Sequence, residues 1–410
     1  MKIRRNVFLY YLCMLIFIPP RCMYNMKGMV LFTSGLAAVR YILSFIAVLV
    51  FFAFRKTRIY VTHTYIFSFV VAVLLQIISL RANHSIYLTA ALSCFTFVGF
   101  ILGNIVLYQK NEVQLLVSYR NYLGACLLIH VATIFILPDT LFLNGPDGQQ
   151  VYFMGQKNGV APYALFFFLT EYLICNRKTF NSKEIFRRTG ILAAIMTIFS
   201  VVNKSSALVG AMMMIDGYFC VTYLIKFHKK TKGFFQRIYM IIAVVLVFGF
   251  LYMVVILQNG SDFIMRVITS VVGKDATFSG RRAIWAQAIV FIIQNPLWGL
   301  GINVQYDVWG NNKFVYSAHN MFLDYGVKYG CISLFFIVLG IAVIFVRGIK
   351  ARNDEKLRLC TIVCAALVLV SLFEALEGNY LTWATLLFTY LASEQLKQKL
   401  SSEKIIIKSK

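Results

Sequence analysis

The sequence predicts an all-α polytopic integral membrane protein with about twelve transmembrane helices and one large extracytoplasmic loop carrying short helices. Three observations carry that prediction. Apolar residues make up 60% of the 410 positions and charged residues 14%, with a mean hydropathy of +0.74, more apolar surface than a soluble domain can bury. The apolar residues also fall in solid runs, such as 241–257, 331–346 and 357–373, near the ~17–25 residues that cross a bilayer. A β-barrel would instead show short alternating segments. Finally, Lys and Arg cluster in every second loop, as they do on the cytoplasmic side of a polytopic protein.

In chain order, Met1-Lys2-Ile3-Arg4-Arg5 precedes an apolar stretch ending at Pro19-Pro20. The charge order is that of a signal peptide, but no small-x-small cleavage site follows, so this reads as an uncleaved first span. Spans are predicted near residues 6–18, 35–54, 60–80, 87–108, 124–137, 161–175, 189–202, 206–225, 238–257, 321–346, 357–374 and 381–393. An even number puts both termini on one side. The basic clusters at 55–58, 177–188, 226–237, 347–358 and 397–410 make that side cytoplasmic, in a cell membrane (the inner one where there are two). They also account for most of the net charge of +24, which therefore gives no reason to invoke nucleic acid. Arg40, and Arg120 at the end of an amphipathic entry segment, are expected to snorkel to an interface. The nine cysteines mostly lie in apolar runs without a Cys-x-x-Cys pair and read as small hydrophobes. No repeat or soluble domain interrupts the chain, so residues 1–410 are read as one domain.

Two outer loops are long. Residues 138–159 hold the turn cluster Asn144-Gly145-Pro146-Asp147-Gly148 and end in Gly155-Gln156-Lys157-Asn158. Residues 258–318 hold a helical pattern at 283–293, with Trp285, Ile289, Ile292 and Ile293 on one stripe. About eleven residues are too few to cross, so this segment is expected on the membrane or in an outer vestibule. A third outer turn is Asn203-Lys204-Ser205-Ser206.

The polar signal concentrates between residues 279 and 330. Gly280-Arg281-Arg282-Ala283-Ile284-Trp285 opens the loop helix and Pro296-Leu297-Trp298-Gly299-Leu300-Gly301 closes it. Ser317-Ala318-His319-Asn320 leads into the next span. Arginines bind phosphate through charge-assisted hydrogen bonds, and a histidine with a pKa near neutrality accepts a proton or, charged, binds phosphate. Plainer readings are a loop held on headgroups by Arg281 and Arg282, and a helix entry at His319 with Ser317 as its cap. Pro296, Gly299 and Gly301 read as a structural turn. Asn158 reads as a helix cap or a binding residue, and Lys157 as an anchor or a binding residue. Tyr306, Trp309 and Tyr316 are candidates for stacking on sugar rings. Four carboxylates, Glu171, Asp216, Asp324 and Glu374, lie in or near spans, where acids are functional by default; Asp324 can orient or charge His319.

In order, spacing and shared outer face, these motifs resemble the O-antigen ligase and polymerase superfamily, the membrane enzymes that assemble bacterial surface polysaccharides. The resemblance covers about residues 155–330. It implies a GT-C-like arrangement in which 258–318 is the catalytic loop, Arg281 and His319 are essential, and no metal or other cofactor is needed. It further implies that Lys157, Asn158, Lys204, Ser205, Arg282, Tyr316 and Asn320 bind substrate, with Lys204 standing where the family commonly has Arg. The implied partners are an undecaprenyl-pyrophosphate-linked oligosaccharide, membrane lipid and, in some systems, a chain-length regulator. The implied reaction is polymerisation of capsular, exopolysaccharide or O-antigen repeats. Its alternative is ligation of finished glycan to lipid A core, protein or wall polymer. A transporter or flippase is the reading from another class; such proteins tend to show repeated halves, whereas here the polar signal sits in one asymmetric loop.

Overall fold

The computed structural model describes residues 5–24, 26, 28–53, 64–83, 88–136, 151–177, 181–224, 229–250, 252, 281–307, 314–350 and 354–408. The turn cluster at 144–148, Trp309 and Gly280 lie outside them.

Twelve α-helices are found among the described residues: α1 (Arg5–Phe17), α2 (Val30–Ala53), α3 (Thr64–Ala82), α4 (Leu88–Ile136), α5 (Ala161–Cys175), α6 (Ser182–Val202), α7 (Ser206–Leu224), α8 (Lys229–Phe250), α9 (Arg281–Gln294), α10 (Met321–Lys350), α11 (Glu355–Ser371) and α12 (Tyr380–Lys408). Five of them, α2, α3, α4, α6 and α10, are long and apolar enough to cross a membrane. At two helix starts the local sequence supplies the cap. Asn181 accepts from Glu184 N at the start of α6, and Asp354 accepts from Leu357 N at the start of α11. Each satisfies an amide that has no partner within its helix.

Two helices are broken, and the breaks shape the bundle. In α4 the ladder fails at Asn111 (φ −161°, ψ 88°), whose Oδ1 accepts from Gln114 N at 3.0 Å and so caps a second arm. That arm starts about twelve residues earlier than the span expected at 124–137. It carries Arg120 sideways into an ion pair with Glu171 of α5 at 3.3 Å, rather than leaving it at an amphipathic entry. In α10 the ladder fails at Gly330, whose φ of +81° is a left-handed conformation open to glycine at little cost.

Helices α5, α11 and α12 form the middle of the bundle, with nearly every α5 and α11 side chain buried. α2 lies at the edge, paired with α4 where a Cβ on Gly99 would sit 2.3 Å from Ser44 Cβ. Close backbone approach of this kind, rather than escape from water, drives helix association in lipid. α9 docks against α10 instead of merely lying on the membrane. Its Trp285 is fully buried with Tyr306, Ala318 and Val327, while Ile293 of the expected stripe points outward.

Candidate functional site

A cavity of about 530 Å³ opens at one end of the bundle. Its walls come from places where α1 and α11 finish and where α5, α10 and α12 begin, with Arg40 of α2 reaching in from the side. His319 and Glu374 both line it, together with Arg21, Arg40 and Gln156.

Glu374 joins three segments far apart in the chain. Its Oε1 accepts from Arg281 Nη2 at 2.9 Å and from Asn158 Nδ2 at 2.5 Å. The Arg281 side chain also donates to the carbonyl of Phe373. The pair is largely desolvated, with 12% of the Arg281 side chain and 15% of the Glu374 side chain exposed. Two arginines at the first turn of α9 oppose the positive end of the helix dipole, and the Glu374 carboxylate offsets that cost. Glu374 Oε2 has no protein partner among the described residues, and Glu374 lines the cavity.

Behind this pair a polar chain fixes the turns around Lys157 and Lys204. Met154 N donates to His130 Nδ1 at 3.0 Å, leaving Nε2–H to donate to Asn203 Oδ1 at 3.1 Å. Asn203 Nδ2 donates to the Lys157 carbonyl at 2.6 Å, and Ser205 Oγ donates to Asn158 Oδ1 at 3.0 Å. Asn158 is therefore spent on Ser205 and Glu374 rather than on a helix cap. Lys157 and Lys204 expose their side chains, and Lys204 has a left-handed backbone, φ +53°.

His319 is placed by its neighbours. It too is left-handed, φ +48°, a strained conformation for a residue with a Cβ. The loop is held there from several directions. Ser317 Oγ donates to Asp324 Oδ2 at 2.8 Å, Ala318 N donates to Asp324 Oδ1 at 2.8 Å, and His319 N donates to Ser317 Oγ at 3.0 Å. Trp285 Nε1 donates to the Ala318 carbonyl at 3.0 Å. Asp324 thus orients the backbone leading to His319. The cap of α10 is Asn320 rather than Ser317: its Oδ1 accepts from Phe322 N and Leu323 N, and its Nδ2 donates to the Leu372 carbonyl.

The turn from Pro296 to Gly301 sits on the break in α10. Leu300 N donates to Val327 O, Gly301 N to Lys328 O, and Cys331 N to Pro296 O, at 2.7–3.0 Å. The three groups released by the Gly330 break are re-paired by this turn, as buried backbone requires. Gly299 has φ +69°, and a Cβ there would lie 2.5 Å from Val327 O.

Residues 188–338 match the family model described as O-antigen ligase. Over that stretch the chain is similar to the O-antigen ligase family. No curated protein matches the chain. The matched domain, from α6 to the middle of α10, supplies Lys204, Ser205, Arg281, Arg282, the Pro296–Gly301 turn, Tyr316, His319 and Asn320. Glu374, Asn158, Arg21 and Arg40 come from outside it.

The structure brings together Arg281, Asn158, Ser205 and, through the cavity, His319. Arg282 is half-buried beside Arg281 at the start of α9. Tyr316 is 60% exposed and accepts from Gln305 Nε2. Tyr306 is fully buried against Phe291, so it presents no face to a sugar; burial, with the nearby Asp324 carboxylate, pushes its phenol up. Two further expectations change. Arg40 does not snorkel: its guanidinium donates to the Ile16 carbonyl at 2.8 and 3.0 Å and lies over the Tyr380 ring, so it faces the cavity. Glu374 is more than one of four acids in or near spans; it is the hub of the site. Arg21 is the residue that sequence reasoning missed, although Pro19-Pro20, which ends α1 and turns the chain across the cavity mouth, stood directly before it.

Proposed function

We propose that this protein polymerises lipid-linked oligosaccharide repeats at the outer face of the cell membrane. A sugar hydroxyl attacks the anomeric carbon of a second, pyrophosphate-linked glycan. A new glycosidic C–O bond forms as the anomeric C–O bond to phosphate breaks, and the polyprenyl pyrophosphate leaves with the electron pair. The observation that carries this reading is the shared cavity. Within one space of a size usual for ligand sites, it offers a histidine in a strained, loop-fixed position and a carboxylate with one unengaged oxygen. His319 takes the hydroxyl proton, and Glu374 Oε2 accepts a hydrogen bond that orients the acceptor. Arg281 acts through Glu374, holding that carboxylate in place and aimed. Asn158 and Ser205 support the same carboxylate, and Lys157, Lys204, Arg282 and Tyr316 contact the glycan as it enters.

The topology proposed with it has twelve passes, counting the two arms of α4 separately and leaving α9 outside the membrane. Both termini are then cytoplasmic. The Arg177–Arg188 and Arg347–Arg358 clusters belong to the end of the bundle opposite the cavity, which supports an extracytoplasmic site. The description of the matched family favours a second reading, ligation of finished glycan to another acceptor, with the same donor chemistry.

One experiment separates these. Lipid-linked glycan is resolved as a ladder from cells lacking the protein and complemented with wild type, Arg281→Ala or His319→Ala, with membrane levels measured alongside. The polymerase reading expects long ladders with wild type and single repeats with either variant. Long lipid-linked polymer that never reaches its acceptor would establish the ligase instead. Full polymer from both variants would overturn the assignment of these residues.

A further inference from the structure

Among the described residues, two cations in the cavity have no acidic partner. Neither Arg21 nor Arg40 forms an ion pair with a carboxylate among the described residues, although both line the cavity. Arg40 commits Nε and Nη2 to the Ile16 carbonyl and Tyr24 Oη, and Nη1 has no hydrogen-bond acceptor among the described residues. Arg21 lies along Gly155 and Gly159, where added Cβ atoms would sit 3.1 Å from its Cδ and 3.5 Å from its Nη1. Glu374, the carboxylate lining the same space, is neutralised by Arg281. The cavity's uncompensated positive charge therefore lies on the wall made by α1, α2 and the turn between them, outside the matched domain.

Directly adjoining is an apolar groove of about 230 Å³ between α1, α2 and α4. On α2 the groove is lined by Leu43, Ile46, Ala47 and Val50, and on α1 by Tyr10, Cys13, Met14 and Phe17. Positions 40, 43, 47 and 50 recur at helical spacing, so Arg40 heads the stripe that lines the groove. On α1, Phe17 belongs to both spaces and Arg21 follows one turn of chain later. Phe17, Phe100 and Tyr380 cluster with ring centroids 5.1–5.5 Å apart where the two spaces meet. An occupant of both must be apolar along its length and doubly or triply anionic where it emerges.

We infer that the groove holds the first isoprene units of a polyprenyl pyrophosphate while Arg21 and Arg40 bind its pyrophosphate at the junction. This inference rests on the reading of a lipid-linked glycan donor. It adds where the donor lies, and it assigns the leaving-group charge to the N-terminal wall rather than to Arg281. In a lipid-linked glycan the pyrophosphate is the group next to the tail, which is where the unpaired guanidinium groups stand. Arginine suits it because its fork can bind phosphate oxygens two at a time. With the head fixed there, the glycan extends across the cavity toward His319 and Glu374.

The test is lipid retention by purified full-length protein, read by native mass spectrometry with undecaprenyl pyrophosphate, undecaprenol and phosphatidylglycerol as separate probes. Wild type should retain the pyrophosphate lipid well above the other two. Arg21→Gln and Arg40→Gln should each weaken that retention roughly tenfold, the scale of losing charge-assisted hydrogen bonds, and bring it down to the level of undecaprenol. Ile46→Trp should weaken both polyprenyl lipids, and Leu128→Trp, on a lipid-facing surface away from the groove, neither. Because Arg40 also grips α1, Arg21→Gln carries the result if Arg40→Gln fails to fold. Undiminished preference for the pyrophosphate lipid in Arg21→Gln, or phosphatidylglycerol retained equally well by wild type, overturns the subsite alone. Wild type that retains neither polyprenyl lipid overturns the donor reading together with it.

Discussion

The cavity has two walls that treat charge in opposite ways. On the side that carries His319 and Glu374, the arginine of the matched segment is already paired: Arg281 meets Glu374 at 2.9 Å with both side chains mostly buried. On the N-terminal wall, Arg21 and Arg40 face the same space with no carboxylate partner among the described residues. A guanidinium paired in this way organises a site, because its charge is largely cancelled before substrate arrives. An unpaired one is kept for an anion that comes and goes. A motif can therefore mark where a site is without marking the group that contacts the substrate's charge.

The largest effect should come from breaking the matched pair. Arg281→Ala leaves Glu374 buried without its cation, and Glu374→Ala does the reverse; stranding one partner of a buried pair costs about 3–5 kcal/mol. Both variants should lose polymer and fall in membrane level. The double variant Arg281→Met/Glu374→Leu strands no charge. It should recover membrane level on quantitative blots yet produce no ladder, and Arg281→Lys should retain part of the activity. Recovery of polymer in the double variant would mean that neither side chain takes part in the reaction.

Removing His319 should cost nearly as much activity and far less stability. His319→Gly keeps a residue that accepts φ +48° and deletes only the imidazole. Turnover per folded molecule should fall about 10²–10⁴-fold, the contribution of a positioned acid–base group, with the thermal midpoint nearly unchanged. A loss of only a few-fold would move the proton-accepting role to Glu374 Oε2.

The legibility of this site in the sequence follows the range over which its contacts act. Helices were legible because each apolar run states its own element, and Asn320, His319 and Asp324 were legible because they lie within one helix entry. The Arg281–Glu374 pair was not, since the partners stand 93 positions apart and no local rule couples them. Arg40 was misread because an arginine inside an apolar run looks like one that reaches outward. What turns it inward is the free carbonyl of Ile16, where α1 ends ahead of Pro19. The start of the second arm of α4 was missed for a similar reason: Asn111 caps it within a polar stretch that hydropathy treats as loop. Of the turn from Pro296 to Gly301, the sequence showed the glycines; their partner, the break at Gly330, lies some thirty residues downstream.

That turn gives the third prediction. Gly299→Ala adds the cost of a left-handed backbone, about 1–2 kcal/mol, and pushes a Cβ against Val327 O. The purified variant should unfold at lower temperature while each folded molecule keeps near-normal turnover. This separates a turn that holds α10 from one that touches substrate. A fall in turnover with no change in thermal midpoint would place the turn in the reaction.

The smallest effect is expected at Lys204, a cation of the matched segment whose side chain is exposed and has no carboxylate partner among the described residues. Its turn is anchored by its neighbours: Asn203 and Ser205 are buried and hydrogen-bonded to Lys157 O and Asn158, so the backbone stays in place without the ammonium. A solvent-exposed charge attracts an anionic donor through water and salt, at an energy of about 1 kcal/mol or less. Lys204→Ala should therefore raise the donor concentration needed for half-maximal rate by only a few-fold, leave the maximal rate alone, and differ least from wild type in high salt, where screening removes the attraction. Asn203→Ala, which cuts the link between the two turns, should do more harm than loss of the cation itself. A hundredfold loss in Lys204→Ala that persists in high salt would put an unpaired, substrate-bound cation in the matched segment, and the contrast between the two walls would no longer hold.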